Sequence, residues 1–216
     1  MSVGVGYARV QMDQKKGCFM LRSLFAASAL IMTGAAAFAD DHADGTSAMV
    51  CVEAGTQAPE FSAVTATGDA VSFADITGEN GAVIVFSRSL DWCPYCKAQA
   101  LELETVKADL DAQGWSLNLI TYDAPELLAS YSADKSLTYT FLSDTDSAMI
   151  DAYGLRNEDM PAGSRFDGVP HPAIIYIKAD GEVAGVQKEE GYKTRPPTEG
   201  IPQLVTLINQ GAPAAP

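Results

Sequence analysis

The sequence is poor in basic residues. Its 216 residues include 14 Lys and Arg against 28 Asp and Glu, which gives a formal net charge of −14 at pH 7. A nucleic-acid partner needs clustered Lys and Arg to neutralise phosphates, so this balance argues against one. Low-complexity tracts and internal repeats are also missing, whereas 47% of the residues are hydrophobic. These features are typical of one acidic globular domain with appendages.

A run of apolar residues long enough to cross a membrane is missing as well. The Ala-rich stretch at 24–38 is short for a membrane span and follows a basic segment at 15–22. It ends at Ala37-Phe38-Ala39, an A-x-A cleavage signature, directly before two aspartates. We therefore predict that residues 1–39 are a signal peptide, with Met20 as an alternative start. The mature protein is expected to be periplasmic or secreted, without stable membrane insertion.

Cleavage after residue 39 would leave a mature chain of three predicted segments. The leader carries four basic residues and one acidic residue, so its removal changes the net charge from −14 to −17. Residues 40–54 are predicted to be a flexible arm, because they are mostly small and polar. Residues 55–210 are predicted to form the folded domain, and residues 211–216 a loose tail.

Cysteines are few, and three of the four remain after cleavage: Cys51, Cys93 and Cys96. Export places them in an oxidising compartment, where a nearby pair forms a disulfide unless something reduces it. Cys93 and Cys96 are such a pair. Cys51 is then unpaired within the chain, and we interpret it as a small buried residue or a free thiol rather than an intermolecular bridge.

Apolar spacing predicts alternating strands and helices. The unbroken run at 82–86 is typical of a strand covered on both faces, and 82–121 reads as a right-handed strand–helix–strand unit. Gly68-Asp69 and Asp180-Gly181 mark hairpin turns. The other predicted elements are a helix from the cysteines to Gly114, strands at 117–120, 138–142, 173–177 and 182–186, and helices at 125–131, 147–153 and 201–208.

Cys93-Pro94-Tyr95-Cys96 is the motif that carries chemistry, because it lies between a buried strand and an amphipathic helix. Unpaired N–H groups and the positive end of the helix dipole stabilise a thiolate there. Pro94 suits the first helical position. We expect Cys93 to be exposed at the helix tip, with a pKa lowered into the range of about 3.5–7.5. Cys93 is then the nucleophile and Cys96 the resolving thiol.

Two other interpretations of the cysteine pair are a permanent structural disulfide and half of a metal site. Zinc would need two more ligands, and only Cys51, His42, His171 and carboxylates remain. We therefore favour a redox pair and predict no metal and no cofactor. The aspartates near residue 146 are interpreted as turn and cap residues rather than calcium ligands.

The segment from Trp92 to Lys97 resembles the redoxin branch of the thioredoxin superfamily, which includes the alkyl hydroperoxide reductase/thiol-specific antioxidant proteins. Residues 58–61 are similar to that branch's A-P-D-F motif, and residues 172–181 to its P-x-x-F-x-I-D-x-D-G hairpin. The resemblance spans about residues 55–208. It implies an α/β, thioredoxin-like fold: a central mixed sheet flanked by helices, with an N-terminal β-hairpin extension. It also implies that Pro172 is a cis-proline facing the cysteines.

The sequence departs from the pattern of typical peroxiredoxins around the cysteines. These proteins carry a Pro seven residues and a Thr or Ser three residues before the reactive Cys, where this chain has Phe86 and Leu90. Their active-site Arg aligns with Pro172. Arg88 or Arg195 is the candidate substitute. Residues 192–196 are similar to a Tyr-x-x-Arg-Pro stretch of atypical peroxiredoxin-like proteins, although Arg195 could equally be a solvated loop residue.

Three residues in or near the motif, His171, Trp92 and Tyr95, each have two possible interpretations. If Pro172 faces the cysteines, His171 should lie beside Cys93, where an imidazolium would stabilise the thiolate. The alternative is a partly exposed histidine at the hairpin entry. Trp92 and Tyr95 are expected to form an apolar collar that docks partners, or else to be half-buried packing residues.

Three functions therefore remain in order of preference. The first is an exported thiol–disulfide oxidoreductase that acts on protein thiols and disulfides with an unidentified redox partner. The second is a peroxiredoxin-like, antioxidant thiol peroxidase, in which Cys93 forms a sulfenic acid and Cys96 resolves it. The third is a binding module without catalysis, whose disulfide only stabilises the fold.

Overall fold

The computed structural model describes residues 52–189, 191 and 193–211. The predicted signal peptide, nearly all of the 40–54 arm with Cys51, and all but the first residue of the tail lie outside the described residues. Within the described part of the chain, no helix is both long and apolar enough to cross a lipid bilayer.

A seven-stranded mixed sheet forms the centre of the domain, with strand order β2-β1-β5-β4-β3-β6-β7. β3 pairs in parallel with β4, which pairs in parallel with β5, whereas β3 and β6 are antiparallel. The elements in chain order are β1 Ser62–Thr65, β2 Ala70–Ser72, α1 Phe73–Ile76, β3 Gly81–Phe86, α2 Pro94–Asp111, β4 Trp115–Thr121, α3 Pro125–Lys135, β5 Thr140–Ser143, α4 Ala148–Ala152, β6 Ala173–Lys178, β7 Val183–Lys188, a 3₁₀ turn Thr198–Gly200 and α5 Ile201–Asn209.

The apolar run of β3 is buried throughout because the sheet has a hydrophobic core on each face. Val83 and Val85 pack into the core that α2, α3 and α5 cover. Ile84 and Phe86 point the other way, into the core formed with α4 and the N-terminal hairpin. A strand with both faces covered needs apolar residues at every position, which explains why the run does not alternate.

The N-terminal hairpin agrees with the prediction from Gly68-Asp69. β1 and β2 are antiparallel, and Gly68 adopts φ +91°, a left-handed conformation that favours glycine. β1 also pairs with β5, so the hairpin extends the sheet by two strands. The four-residue helix α1 was not predicted, because it is too short to show a helical period. Its start is marked instead by Ser72, whose N–H and hydroxyl both donate to the Asp75 carboxylate.

The prediction of a cis peptide bond before Pro172 is wrong, because the described residues contain no cis peptide bond. The segment before β6 is extended: Arg156 and Pro170 form an isolated β-bridge, and the His171 N–H donates to Leu155 at 2.7 Å. The Pro172 carbonyl accepts the Glu189 N–H at 2.9 Å, which continues the β6–β7 ladder. A trans bond suits this extended path and is also the intrinsically favoured isomer.

Candidate active site

The cysteine pair lies where β3 passes into α2, as predicted. Cys93 is the N-cap of α2, and Pro94 occupies its first turn. A disulfide joins Cys93 to Cys96 with a Cα–Cα distance of 5.3 Å, inside an intact first helical turn. The Cys96 N–H donates to the Cys93 sulfur at 3.2 Å. The Cys93 sulfur therefore takes the place of a capping oxygen at the positive end of the helix.

The expectation that Cys93 is exposed is wrong. Its relative exposure is 2%, and that of Cys96 is 0%. The cover includes Arg195, whose Nη2 lies 3.3 Å from the Cys96 sulfur and 4.0 Å from the Cys93 sulfur. Arg195 is about a hundred residues away along the chain, so no local pattern around the motif reveals this cover.

Arg195 is held against the sulfurs by a second contact from α2. Its Nε donates to Gln99 Oε1 at 3.2 Å, and Gln99 is buried one turn beyond Cys96. Burial, with a smaller effect from Arg88, lowers the pKa of the Arg195 guanidinium. An arginine nevertheless keeps its proton in proteins, so a permanent cation faces the sulfur pair.

Of the two candidate arginines, Arg195 contacts the sulfurs and Arg88 stacks on the motif's tryptophan. The Arg88 guanidinium carbon lies 4.9 Å from the centroid of the Trp92 ring, and its Nη2 lies 3.9 Å from the sulfur of Met160. A guanidinium over an indole face is a favourable cation–π arrangement. The alternative interpretation of Arg195 as a solvated loop residue is wrong, since it is partly buried against α2.

Trp92 and Tyr95, the two residues of the predicted apolar collar, lie in different environments. Trp92 is half-buried: its ring packs edge-on against Phe166 at 4.8 Å, and its Nε1–H donates to the Tyr122 hydroxyl at 2.9 Å. Tyr122 in turn donates to the Arg165 carbonyl at 2.9 Å. Tyr95 is 40% exposed at the start of α2. Of these two residues, Tyr95 is the one that presents a large apolar surface to solvent.

His171 lies at the entry to β6 and is half-buried. Its Nδ1 is buried and has no hydrogen-bond partner within the described ranges. No hydrogen bond from the imidazole to either sulfur is found among the described residues. The proposed effect of His171 on the thiolate therefore stays a prediction, while Arg195 is the cation in contact with the sulfurs.

Two further residues of the site were missed by the sequence analysis. Gln99 is a buried polar residue within the apolar face of α2, and such an interruption is a signal that could have been used. Asp123 is buried just after β4 and accepts a hydrogen bond from the backbone N–H of Leu90 at 2.6 Å. Its signal was a carboxylate shortly after a largely buried strand. No group of three metal-ligating side chains is found in the described part of the chain.

Comparison with known proteins places this site in a family. The model of the AhpC/TSA family matches residues 54–186. The chain is also similar to Peroxiredoxin Bcp of Escherichia coli, with 30% identity over 135 residues that cover 62% of this chain and 85% of that protein.

Solved structures of low sequence identity share the architecture. Peroxidoxin BcpB from Mycobacterium tuberculosis superposes with a TM-score of 0.61 at 16% identity, covering 74% of this chain and 97% of that one. A thiol peroxidase from Chromobacterium violaceum gives 0.60 at 21% identity, covering 75% and 89%. These neighbours confirm the predicted thioredoxin-like fold with its central mixed sheet.

Proposed function

This chain belongs to the AhpC/TSA family, and from that membership we propose that it is a thiol peroxidase in which Cys93 attacks the peroxide and Cys96 resolves the product. The observation that carries the proposal is the Cys93–Cys96 disulfide at the start of α2, with the Arg195 guanidinium against both sulfurs. The sequence alone places disulfide exchange first and peroxide reduction second. The relatives support the reverse order.

The first step uses the reduced protein. The Cys93 thiolate attacks one peroxide oxygen and the O–O bond breaks. A sulfenic acid forms on Cys93, and the other oxygen leaves as an alkoxide or hydroxide that takes up a proton. Cys93 loses two electrons and the peroxide gains them. The N-terminal N–H groups of α2 and the Arg195 cation both favour the thiolate that starts the reaction.

The second step closes the disulfide found in the structure. The Cys96 thiol attacks the Cys93 sulfenic acid, an S–S bond forms and water leaves. Because the two residues share one helical turn, this bond closes with α2 intact from Pro94 onward. A dithiol reductant must then return two electrons and two protons to restore both thiols.

The burial of the sulfurs favours a small substrate. Cys93 is 2% exposed, and Arg195 extends its side chain from the loop after β7 to the disulfide. A peroxide of a few atoms needs far less room at this sulfur than a disulfide within a folded protein. In such a water-poor site, the guanidinium also stabilises negative charge that develops on the departing oxygen.

A second candidate function is thiol–disulfide exchange with protein partners. Two observations favour it: the C-x-x-C spacing itself, and the apolar residues Phe86 and Leu90 at positions where typical peroxiredoxins carry Pro and Thr or Ser. Leu90 has no hydroxyl to offer a peroxide, and its N–H is taken by Asp123. The exposed ring of Tyr95 would be the contact for such a partner.

One experiment separates the two functions. The reduced protein is mixed with one equivalent of hydrogen peroxide, and peroxide loss and disulfide formation are followed together. We expect both to occur at equal rates in the wild type and neither in Cys93→Ser. In Cys96→Ser, a diketone probe should capture the Cys93 sulfenic acid by mass spectrometry.

Insulin reduction by dithiothreitol, with the protein as catalyst, is the parallel assay. Fast insulin reduction without peroxide consumption would support disulfide exchange and overturn the peroxidase proposal. The Cys96→Ser variant also captures a partner that has a single reactive thiol, because the mixed disulfide on Cys93 then has no resolving thiol on either side.

We propose in addition that the protein works in the periplasm or outside the cell. The support is the sequence pattern of residues 1–39 alone. Expression of the full chain in a Gram-negative host, followed by fractionation and N-terminal sequencing, tests this. The exported product should begin at Asp40, and retention of the leader in the cytosol would contradict the proposal.

A further inference from the structure

The loop that leads to Cys93 at the start of α2 is short, and its first four residues are buried. It comprises residues 87–92, in which Ser87 and Ser89 are fully buried and Leu90 is 2% exposed. Its first N–H, from Ser87, continues the β3–β4 ladder by donating to the Ile120 carbonyl at 2.9 Å. Beyond that point the strand ladder ends, so the loop must find other partners for its backbone.

Those partners come from one carboxylate. Asp123 Oδ2 accepts the Leu90 N–H at 2.6 Å, and Oδ1 accepts the Ser89 hydroxyl at 2.7 Å. The Ser89 oxygen then accepts the N–H groups of Asp91 at 3.0 Å and of Trp92 at 3.4 Å. Three consecutive backbone N–H groups directly before Cys93 are thus held, directly or through Ser89, by Asp123.

Asp123 is itself fixed by the ends of two strands. Its Oδ2 accepts the Thr121 hydroxyl at 3.0 Å, and its own N–H donates to that hydroxyl oxygen at 3.1 Å. Its carbonyl accepts the Ser143 hydroxyl at 2.7 Å, at the end of β5. The chain of hydrogen bonds therefore runs from β5 through Asp123 and Ser89 to the residue before Cys93.

We propose that Asp123 is a positioning residue for the reaction of Cys93. It does not touch the sulfurs; it fixes the loop that sets where the Cys93 sulfur lies relative to Arg195. This inference rests on the proposed peroxidase function for its reaction. Leu90 strengthens this inference. It stands where typical peroxiredoxins carry Thr or Ser, and only its backbone can form hydrogen bonds, so the loop depends on Asp123 at this position.

The position of the Cys93 sulfur strongly affects the rate of its attack on a peroxide oxygen. The thiolate must approach along the O–O axis while the guanidinium reaches the leaving oxygen, and a displacement of about 1 Å can cost about a hundredfold in rate. Alkylation of Cys93 by iodoacetamide depends on the thiolate and on access to the buried sulfur, but it needs no Arg195 on a departing oxygen. The ratio of the two rate constants therefore reports positioning rather than nucleophilicity.

The test compares Asp123→Ala with Asp123→Asn in the reduced full-length protein, at a pH where the Cys93 thiol is ionised. We expect Asp123→Ala to slow the reaction with hydrogen peroxide at least tenfold while alkylation changes by less than threefold. Asp123→Asn should recover only part of this loss, because its amide oxygen can still accept from Leu90, whereas its amide NH₂ faces a Ser89 oxygen that already accepts the N–H groups of Asp91 and Trp92.

The matched control is Asp144→Ala. Asp144 is equally buried, at 6% against 7% for Asp123, and also accepts backbone N–H groups, from Met149 and Ile150 of α4. Both of these hydrogen bonds go to α4 and neither involves the 87–92 loop. A peroxide-to-alkylation ratio that stays at the wild-type value in Asp123→Ala, or that falls equally in Asp144→Ala, would overturn the proposal.

Ser89→Ala keeps the test decisive if Asp123→Ala does not fold. It removes the link to Asp91 and Trp92 but leaves the Asp123–Leu90 bond, and it should lower the ratio by a smaller factor. If the wild type itself does not consume peroxide, the peroxidase proposal fails independently. The positioning proposal then stands or falls on whether Asp123→Ala slows insulin reduction at least tenfold relative to alkylation.

Discussion

Two regions of the same three strands are equally buried but held together differently. The interior of β3 is apolar and that of β4 is mainly apolar, apart from the buried Asn118, with Ile84 and Leu119 fully buried in opposite cores. The carboxyl ends of β3, β4 and β5 are nearly as buried but polar, through Ser89, Asp123 and Ser143. Non-directional packing stabilises the interior. Directional hydrogen bonds stabilise the carboxyl ends of these strands, called the edge below, where the chain leads to Cys93. The interior should therefore set stability, and the edge should set reactivity.

Ile84→Ala tests the interior with the largest expected change in stability. The side chain is fully buried in the middle of β3, and its loss should lower the free energy of unfolding by about 2–5 kcal/mol through lost burial and a cavity. Urea unfolding measures this. The rate constant for peroxide, corrected to the folded fraction, should stay within threefold of wild type.

A tenfold or greater loss of that corrected rate would break the comparison, because it would show that packing in the interior also sets the geometry of Cys93. Leu119→Ala, on the other face of the sheet, is the control for which face matters. It should behave in the same way.

This division also explains how much of the molecule could be predicted from its sequence. The interior is visible in local sequence patterns. The unbroken apolar run of β3, the turn at Gly68 and the hairpin that turns at Asp180-Gly181 all lie where expected. The alternation of strands and helices and the strand-to-helix position of the cysteines followed from these patterns, whereas the thioredoxin-like fold was implied by the family resemblance. Boundaries were less exact, since α3 continues to Lys135 rather than 131.

The edge could not be predicted in the same way, because its contacts join distant positions. The Asp123–Leu90 bond spans 33 residues, and the Arg195–Cys96 contact spans 99. The burial of Cys93 follows from such contacts, so the sequence predicted an exposed thiol instead. The cis isomer expected for Pro172 failed for a different reason: it came from family resemblance, and the extended path into β6 needs only a trans bond.

Arg195 tests the edge directly. Arg195→Ala removes the cation from the sulfurs and should slow the reaction with peroxide by about 100- to 1,000-fold, the loss expected for one donor that stabilises charge in the transition state. Arg195→Lys should recover part of this rate, because a point charge cannot reproduce the guanidinium's contacts with both Gln99 and Cys96. Stopped-flow measurement of peroxide consumption gives the rates.

Arg165→Ala is the matched control, since it removes the same charge from a side chain that packs on Phe166 rather than on the cysteines. It should stay within threefold of wild type. Equal losses in Arg165→Ala and Arg195→Ala would show that only the local positive potential matters, and the special role of Arg195 would be lost.

The pH dependence of stability tests how the buried carboxyl of Asp144, directly after β5, contributes to the edge. Burial raises the pKa of the Asp144 carboxyl, although backbone N–H groups of α4 oppose the shift. The folded state then binds this proton more tightly than the unfolded state, so stability falls as pH rises from the ordinary aspartate pKa through the raised one. Asp144→Asn should remove the contribution of Asp144 to that fall, while Asp123, whose pKa burial also raises, still contributes.

Urea unfolding at a series of pH values between 4 and 7 checks this expectation. The wild type should lose stability relative to Asp144→Asn as pH rises, by less than the loss in Ile84→Ala. Asp146→Asn, which changes an exposed carboxylate of the same loop, is the control. A wild type that gains stability over Asp144→Asn with rising pH would contradict the sign.

Trp92→Phe should have the smallest effect, because Trp92 belongs to the outer layer of the edge. The substitution keeps an aromatic ring against Phe166 and loses the Nε1–H bond to Tyr122, which is worth about 1 kcal/mol or less in a half-buried position. Tyr122 still donates to the Arg165 carbonyl. We expect less than a threefold change in the rates with peroxide and with dithiothreitol. A large loss in the peroxide rate alone would extend the reaction-controlling part of the edge from the Asp123 network to the aromatic residues around it.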